Sequence, residues 1–276
     1  MTDGHTPAPG PQHRARAGVV FDDVAVTVED MDPSSNRLRA RTLLTDLTLT
    51  LREQRISVIG ANGSGKSTFL QLINGLTTPT RGRVRLGDLD TVDDGAAVRR
   101  QVGFVFSDPA AQLVMPTPVE DVELSLKRRI RDKTARRQAA VEALAEFGVE
   151  DLAERSIYEL SSGQRQLVAL ASVLAVSPMV LVLDEPTTLL DLANRELLRA
   201  TLDDLAARRG VQLIVSTHDL DFACDAERTL VLHDGRVVAD ATPAEAVAAY
   251  RQLIAATVSA ARRPTDGTTA SGEEQA

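Results

Sequence analysis

The sequence predicts an α/β fold, a mostly parallel sheet with helices on both faces, preceded by an N-terminal antiparallel β subdomain. Three observations predict it. Short apolar runs at Ile56 to Ile59, Gly103 to Phe106, Val180 to Leu183 and Leu213 to Ser216 have the length and unbroken apolarity of strands buried on both faces. Stretches of helical periodicity separate these runs, the alternation that gives parallel strands joined by crossover helices. Ahead of them, Val24, Val26 and Val28 alternate with polar residues, as do Leu47, Leu49 and Leu51, the period of half-buried antiparallel strands.

The remaining elements follow in chain order. Residues 1–17 mix Pro, Gly, His and Arg without an apolar stretch, so a disordered leader is expected there and an ordinary secretory signal is not. A helical segment is expected from Val119 to about Phe147. It carries Lys127, Arg128, Arg129, Arg131, Lys133, Arg136 and Arg137, a charge run that reads first as a solvated helix face and second as a docking surface. Leu167 to Leu183 is apolar enough to resemble a membrane span, but Ser177-Pro178 divides it into a helical half and a strand half. Thr229 to Leu232 and Arg236 to Val238 flank His233-Asp234-Gly235, a hairpin signal. Residues 262–276 have the composition of a disordered tail, leaving 18–261 as the folded domain.

Composition narrows the function. The net charge of −8 argues against a general affinity for nucleic acid or anionic lipid. With no tryptophan and only 3% aromatic residues, a base-stacking platform for single strands is not expected. The single cysteine, Cys224, has no partner for an internal disulfide and reads as a small buried side chain.

The chemistry begins at Gly60-Ala61-Asn62-Gly63-Ser64-Gly65-Lys66-Ser67-Thr68, which follows one buried strand and leads into the helical run Phe69 to Ile73. Strand, glycine-rich turn and helix form the context in which this spacing cradles phosphate. Glycines let the backbone wrap closely and point N–H groups inward, and the helix start adds a favourable dipole. Lys66 is expected to reach the β- and γ-phosphates, and the Ser67 hydroxyl to ligate Mg²⁺. The parallel sheet is therefore expected to be a P-loop NTPase core. A second strand, Val180 to Leu183, ends in Asp184-Glu185-Pro186, where open α/β sheets bind ligands. Asp184 suits a water-mediated Mg²⁺ contact and Glu185 suits polarising an attacking water. An acidic pair after an apolar run is by itself equally compatible with a structural role.

Upstream of that pair stands Leu160-Ser161-Ser162-Gly163-Gln164-Arg165-Gln166. Here the chain resembles the ATP-binding-cassette family, whose signature reads Leu-Ser-Gly-Gly-Gln, and the resemblance extends from about Val19 to Thr242. It implies a helical subdomain at about 107–170 whose signature loop, Ser161 to Gln164, caps ATP held by the opposite subunit. It also implies that His218, in Ser216-Thr217-His218-Asp219, contacts the γ-phosphate, and that Asp191, in Thr188-Leu189-Leu190-Asp191, signals between the two sites of a dimer. Without that company, His218 would read as structural. Ser162 replaces the first signature glycine, a change tolerated if its backbone avoids positive φ.

Two departures stand out. The family's Mg²⁺-sensing glutamine falls at Ser107, which is too short to span the same distance, while Gln112 lies five residues later. The aromatic that stacks on adenine falls near Val28, so loose apolar contact with the base is expected.

Two classes of task compete. A DNA-acting relative would separate Lys66 from Ser161 by a long coiled coil, and a translation relative would carry two cassettes; neither feature occurs here. The transporter class is therefore preferred over a soluble ATPase acting on DNA or ribosomes. Val102 to Leu113 is similar to the energy-coupling-factor importers, and Met115-Pro116-Thr117 with Pro186 to Asp191 points within them to biotin. A cobalt, nickel or other vitamin importer is the alternative. This resemblance implies a second ATPase copy (the same chain or a different one), a transmembrane coupling protein and a substrate-binding membrane protein. Its implied place is the cytoplasmic face of the cell membrane.

Overall fold

The computed structural model describes residues 18–32 and 37–261. The expected leader at 1–17 and tail at 262–276 lie outside the described residues.

Strands β1 (Val19–Asp32) and β2 (Arg37–Leu51) form a long antiparallel arm. Asp23 (φ 48°) and Asp46 (φ 55°) sit where its register shifts, allowing bulges that bend the strands over the core. β3 (Arg55–Ile59) leads through the glycine-rich turn to α1 (Lys66–Ile73), which buries Phe69, Leu70, Leu72 and Ile73. Phe69 stacks on Phe21 of β1, with ring centroids 4.7 Å apart and planes within 7°. Such a pair adds about 1 kcal/mol beyond its buried area and ties the antiparallel arm to the helix behind the turn.

β4 (Arg81–Leu86) and β5 (Leu89–Asp90) complete a sheet of order β2-β1-β4-β5. After the short α2 (Gly95–Val98), β6 (Val102–Val105) enters the second sheet. The helices α3 (Pro118–Leu126), α4 (Lys133–Ala145) and α5 (Ser162–Leu174) follow. β7 (Val180–Asp184), α6 (Leu192–Arg209), β8 (Gln212–Ser216), α7 (Leu220–Ala223), β9 (Arg228–His233), β10 (Arg236–Ala241) and α8 (Pro243–Ala261) end the described chain.

The second sheet has the order β10-β9-β3-β8-β7-β6, with every pairing parallel except β9–β10. The apolar runs at Ile56, Val180 and Leu213 therefore become adjacent central strands, buried on both faces as their composition requires. Asp234 (φ 46°) and Gly235 (φ 74°) make the tight left-handed turn between β9 and β10. His233 belongs to β9 rather than to the turn in which the sequence placed it.

The helical segment expected across Val119 to Phe147 is two helices. α3 stops at Leu126, and the Asp132 carboxylate accepts from Ala135 N (2.8 Å) to start α4 as an N-cap. Several of its basic residues are engaged inside the fold. Arg136 and Arg137 pair with Glu123, Arg137 also with Glu154, and Arg129 donates to the Val176 carbonyl. Leu167 to Leu183 divides, as expected at Ser177-Pro178, between α5 and β7. Among the described residues, no helix is long and apolar enough to cross a membrane. Cys224 is exposed rather than buried. α7 is a single turn capped by Asp219 that buries Phe222 and Ala223, which leaves the thiol at its C-cap in solvent.

Candidate active site

The glycine-rich turn lies at the carboxyl end of the central strand β3. Its backbone requires the glycines it has. A Cβ on Gly60 would lie 2.3 Å from the Leu232 carbonyl oxygen, and Gly63 and Gly65 have φ of 81° and 104°. Gly65 is the left-handed residue from which α1 starts. Lys66 is 6% exposed and curls back over the turn. Its ammonium donates to the carbonyls of Gly60 (2.9 Å) and Ala61 (3.3 Å) and pairs with Glu185 Oε1 (3.3 Å). Two of its contacts thus lie within the loop that runs from Gly60 through Asn62 and Ser64 to Thr68, and the third reaches across to Glu185. Ser67 is exposed on the first turn of α1.

Two neighbouring strands deliver the acids. Asp184, 4% exposed, ends β7, and Ser216 ends β8 directly opposite it. The Ser216 hydroxyl donates to Asp184 Oδ1 (2.5 Å) and accepts from Glu185 N (3.0 Å), while the Ser216 carbonyl accepts from the same amide (3.1 Å). These bonds hold Glu185 at φ 49°, a left-handed conformation that is strained for a residue with a side chain. Ser216 thus joins the cluster of sequence-predicted residues through its hydroxyl. Its position, directly before the Thr217-His218 pair at the end of a buried strand, is the signal that could have found it.

Glu185 is the focus of the cluster. Oε1 faces Lys66, and Oε2 accepts from His218 Nδ1 (2.8 Å) and Thr188 Oγ1 (3.2 Å). Burial alone would push its carboxyl up. The His218 hydrogen bond and the charges of Lys66 and His218 outweigh that, and the net displacement is below the usual carboxylate range. Glu185 is therefore an anion at neutral pH, in line with an imidazole and an ammonium. That arrangement suits holding and deprotonating a water beside a phosphate seated on the turn. His218 follows Thr217, whose hydroxyl accepts from Asp219 N (3.0 Å). Asp219 in turn caps α7 through Asp221 N and Phe222 N (3.0 and 3.1 Å).

Ser67, exposed on the first turn of α1, and Asp184, buried at the end of β7, offer a hydroxyl and a carboxylate. Oxygen-only donors in such small number suit Mg²⁺, which keeps most of its waters.

The signature residues are built as a helix start. Ser161 accepts from Gln164 N (3.2 Å) and the Gln164 side chain accepts from Ser161 N (2.9 Å), a reciprocal capping box. Ser162 is the first helical residue and is not among the residues with positive φ, so the condition for replacing glycine there is met. Gly163 lies against the turn before α6, where a Cβ would meet Leu190 Cδ2 and Asn194 Nδ2 at 3.6 Å. Asp191 caps α6 by accepting from Asn194 N (2.9 Å). Among the described residues, no hydrogen bond or ion pair joins this signature region to the glycine-rich turn of the same chain. Ser161 and Ser162 face solvent.

Ser107 is exposed beyond β6. Gln112 does not replace it. Asp108 caps a 3₁₀ turn at Pro109–Ala111, and this brings Gln112 back inward, where it accepts from Phe106 N (3.2 Å) and donates to the Ala169 carbonyl (3.4 Å).

The ABC transporter family profile matches residues 44–188, from the arm through the glycine-rich turn to the segment after Glu185. The chain belongs to the ABC transporter ATPases. The cassette is 48% identical over 217 residues, 78% of its length and 94% of the relative's, to the biotin transport ATP-binding protein BioM of Rhizobium etli. It is 39% identical to the energy-coupling factor transporter ATP-binding protein EcfA1 of Halalkalibacterium halodurans, covering 68% of each. Among solved structures it is similar to the dimeric post-hydrolysis ATP-binding cassette MJ0796 bound to ADP and Pi. That likeness has a TM-score of 0.74 and 32% identity, and covers 82% of this chain and 98% of the other. The cassette is thus an ATP-binding and ATP-hydrolysing domain of P-loop fold, as its sequence predicts.

Proposed function

We propose that the chain is the ATP-hydrolysing subunit of an energy-coupling-factor type importer and that its cargo is biotin. The observation that carries this reading is the near end-to-end likeness to a biotin transport ATPase, over a site in which Lys66, Glu185 and His218 converge. Residues 60–68 bind the triphosphate, with Lys66 released from Glu185 onto the β- and γ-phosphates. Ser67 and Asp184 would hold Mg²⁺, which supplies charge neutralisation between those phosphates. Glu185 takes the proton of the attacking water, and His218 orients the pair and contacts the γ-phosphate.

The exposed Ser161–Gln164 helix start serves a second copy. Its free amides and positive dipole end face outward, which suits capping the γ-phosphate on a partner's Lys66 loop. Because one chain carries both halves of the site, a homodimer holds two composite sites, with Asp191 and Leu190 at the seam between signature and α6. The surface around Ser107 meets the transmembrane coupling protein, which works with a substrate-binding membrane protein and keeps the cassette peripheral on the cytoplasmic face.

Co-expression with the neighbouring membrane components, purification from membranes and uptake assays test this. Labelled biotin should accumulate with the native chain and fail to accumulate with Glu185→Gln. If biotin uptake is unaffected and Co²⁺ or Ni²⁺ uptake is lost, the cargo assignment is wrong while the ATPase assignment stands.

A further inference from the structure

The sheet topology fixes which way a nucleotide leaves the phosphate turn. β3 lies between β8 and β9. Glu185 and His218 follow β7 and β8, so the γ-phosphate end lies on that side. The other side is closed by the β9–β10 turn and by β2. Gly235 N donates to the Ser64 carbonyl (3.1 Å), Thr45 N donates to the Gly235 carbonyl (2.9 Å), and Gly65 packs on Leu44, whose Cδ2 would be 2.7 Å from an added Cβ. Ribose and base must therefore pass along the β1–β2 arm.

The arm carries a candidate for the base. Val26 pairs with Leu44, both are buried, and Leu44 packs on Gly65 of the turn. The next register shift places its extra residue on β2, since Val26 opposes Leu44 and Thr27 opposes Thr42. β1 alternates regularly there, so Val28 shares the face of Val26. Arg41 is paired directly across from Val28 and so lies on that same face, about 7 Å outward from Leu44. Its Nε pairs with Asp30 Oδ2 (2.8 Å), and the two side chains are 65% and 54% exposed. A carboxylate on one edge of a guanidinium fixes the plane and leaves its faces open.

We propose that Arg41, held by Asp30, is the base-binding residue of this cassette, stacking its guanidinium plane on the purine. This replaces the loose apolar contact at Val28 that the sequence suggested, and it rests on residues 60–68 holding the phosphates. A π-face is common to all bases, so ATP and GTP bind within a few-fold of each other.

Calorimetry with Mg²⁺ present tests it, using ATP, GTP and inorganic tripolyphosphate as probes. In Arg41→Ala, both nucleotides should weaken by about threefold to thirtyfold while tripolyphosphate binding stays unchanged. Arg41→Lys should remain weakened, because an ammonium has no plane to stack. Unchanged nucleotide affinity in Arg41→Ala overturns the proposal. So does a parallel loss of tripolyphosphate binding, which would make Arg41 a phosphate or structural residue. Full affinity in Arg41→Lys also overturns it, since charge alone would then suffice. If the unsubstituted chain binds neither ATP nor tripolyphosphate, the phosphate assignment itself fails along with it, an outcome distinct from each of the others.

Discussion

Glu185 is held by two competing demands, because the ammonium it pairs with is the one that must serve the phosphates. Replacing it with Gln removes both the base and the competitor. Turnover should fall about 10²- to 10⁴-fold, the usual worth of a positioned base, while ATP binding tightens. Phosphate release and calorimetry together check this, and weaker binding would count against Lys66 being shared. The lowered carboxyl of Glu185 also makes a stability prediction. A group whose folded pKa is depressed contributes stability above its unfolded value, near 4.5, and loses that contribution as pH falls through the lower folded value. The melting temperature of the native chain should therefore drop more steeply than that of Glu185→Gln as pH falls below about 4.5. Ser216 tests the support beneath. Ser216→Ala leaves Asp184 buried without its proton donor, a loss of about 1.5–3 kcal/mol for a hydrogen bond to a charged group. In a chain of this size the melting point should fall by about 3–6 °C. Activity should fall as well, because the strained turn at Glu185 loses one of its two anchors.

At the scale of elements, what the sequence made legible was whatever a local signal announces. The phosphate turn and the buried strands each carry their rule within a few residues. Features set by long-range register or by the direction of a turn were not legible in the same way. Gln112 lies only five residues after Ser107, but the direction of its side chain is set by the Asp108-Pro109 turn, which sends it inward to Phe106 and Ala169. The break between α3 and α4 did have a local signal, Asp132 as an N-cap, which the long run of basic residues obscured. Arg41 became visible only through its cross-strand partner, which sequence spacing cannot supply across a bulged arm. Asp121 is a further case. This buried carboxylate of α3 accepts from Val114 N (2.9 Å), Met115 N (3.2 Å) and the Ser172 hydroxyl of α5 (2.9 Å). It thereby ties the segment after Gln112 to two helices. Asp121→Ala should cost about 3 kcal/mol and speed amide exchange at residues 113–116. Asp121→Asn should cost less, because its amide oxygen still accepts from the two backbone N–H groups. Equal losses in the two variants would mean that charge, not hydrogen bonding, is what α3 supplies.

For the whole molecule, the two regions to which the proposed function assigns roles are not joined by a hydrogen bond or ion pair among the described residues. The Lys66–Glu185–His218 cluster sits at the carboxyl ends of the central strands. The Ser161 helix start opens to solvent beside the Asp191 turn. Gly163 lies beside Leu190, and Asp191 caps the next helix, so the signature is anchored to the start of α6. Completion in trans by a second copy, as proposed above, can be tested without a structure of the dimer. Lys66→Ala and Ser161→Arg should each be inactive alone, the first for want of the ammonium and the second because a bulky cation obstructs the helix start. In an equal mixture, each mixed dimer joins the two defects in one site and leaves the other site built from intact halves. About a quarter of the unsubstituted number of sites should then be whole, from random pairing of a two-fold assembly. ATPase activity should therefore reappear on mixing and depend on protein concentration. Persistent inactivity of the mixture, with both variants folded and dimeric, would place both halves of the site in one chain and remove the reason for pairing.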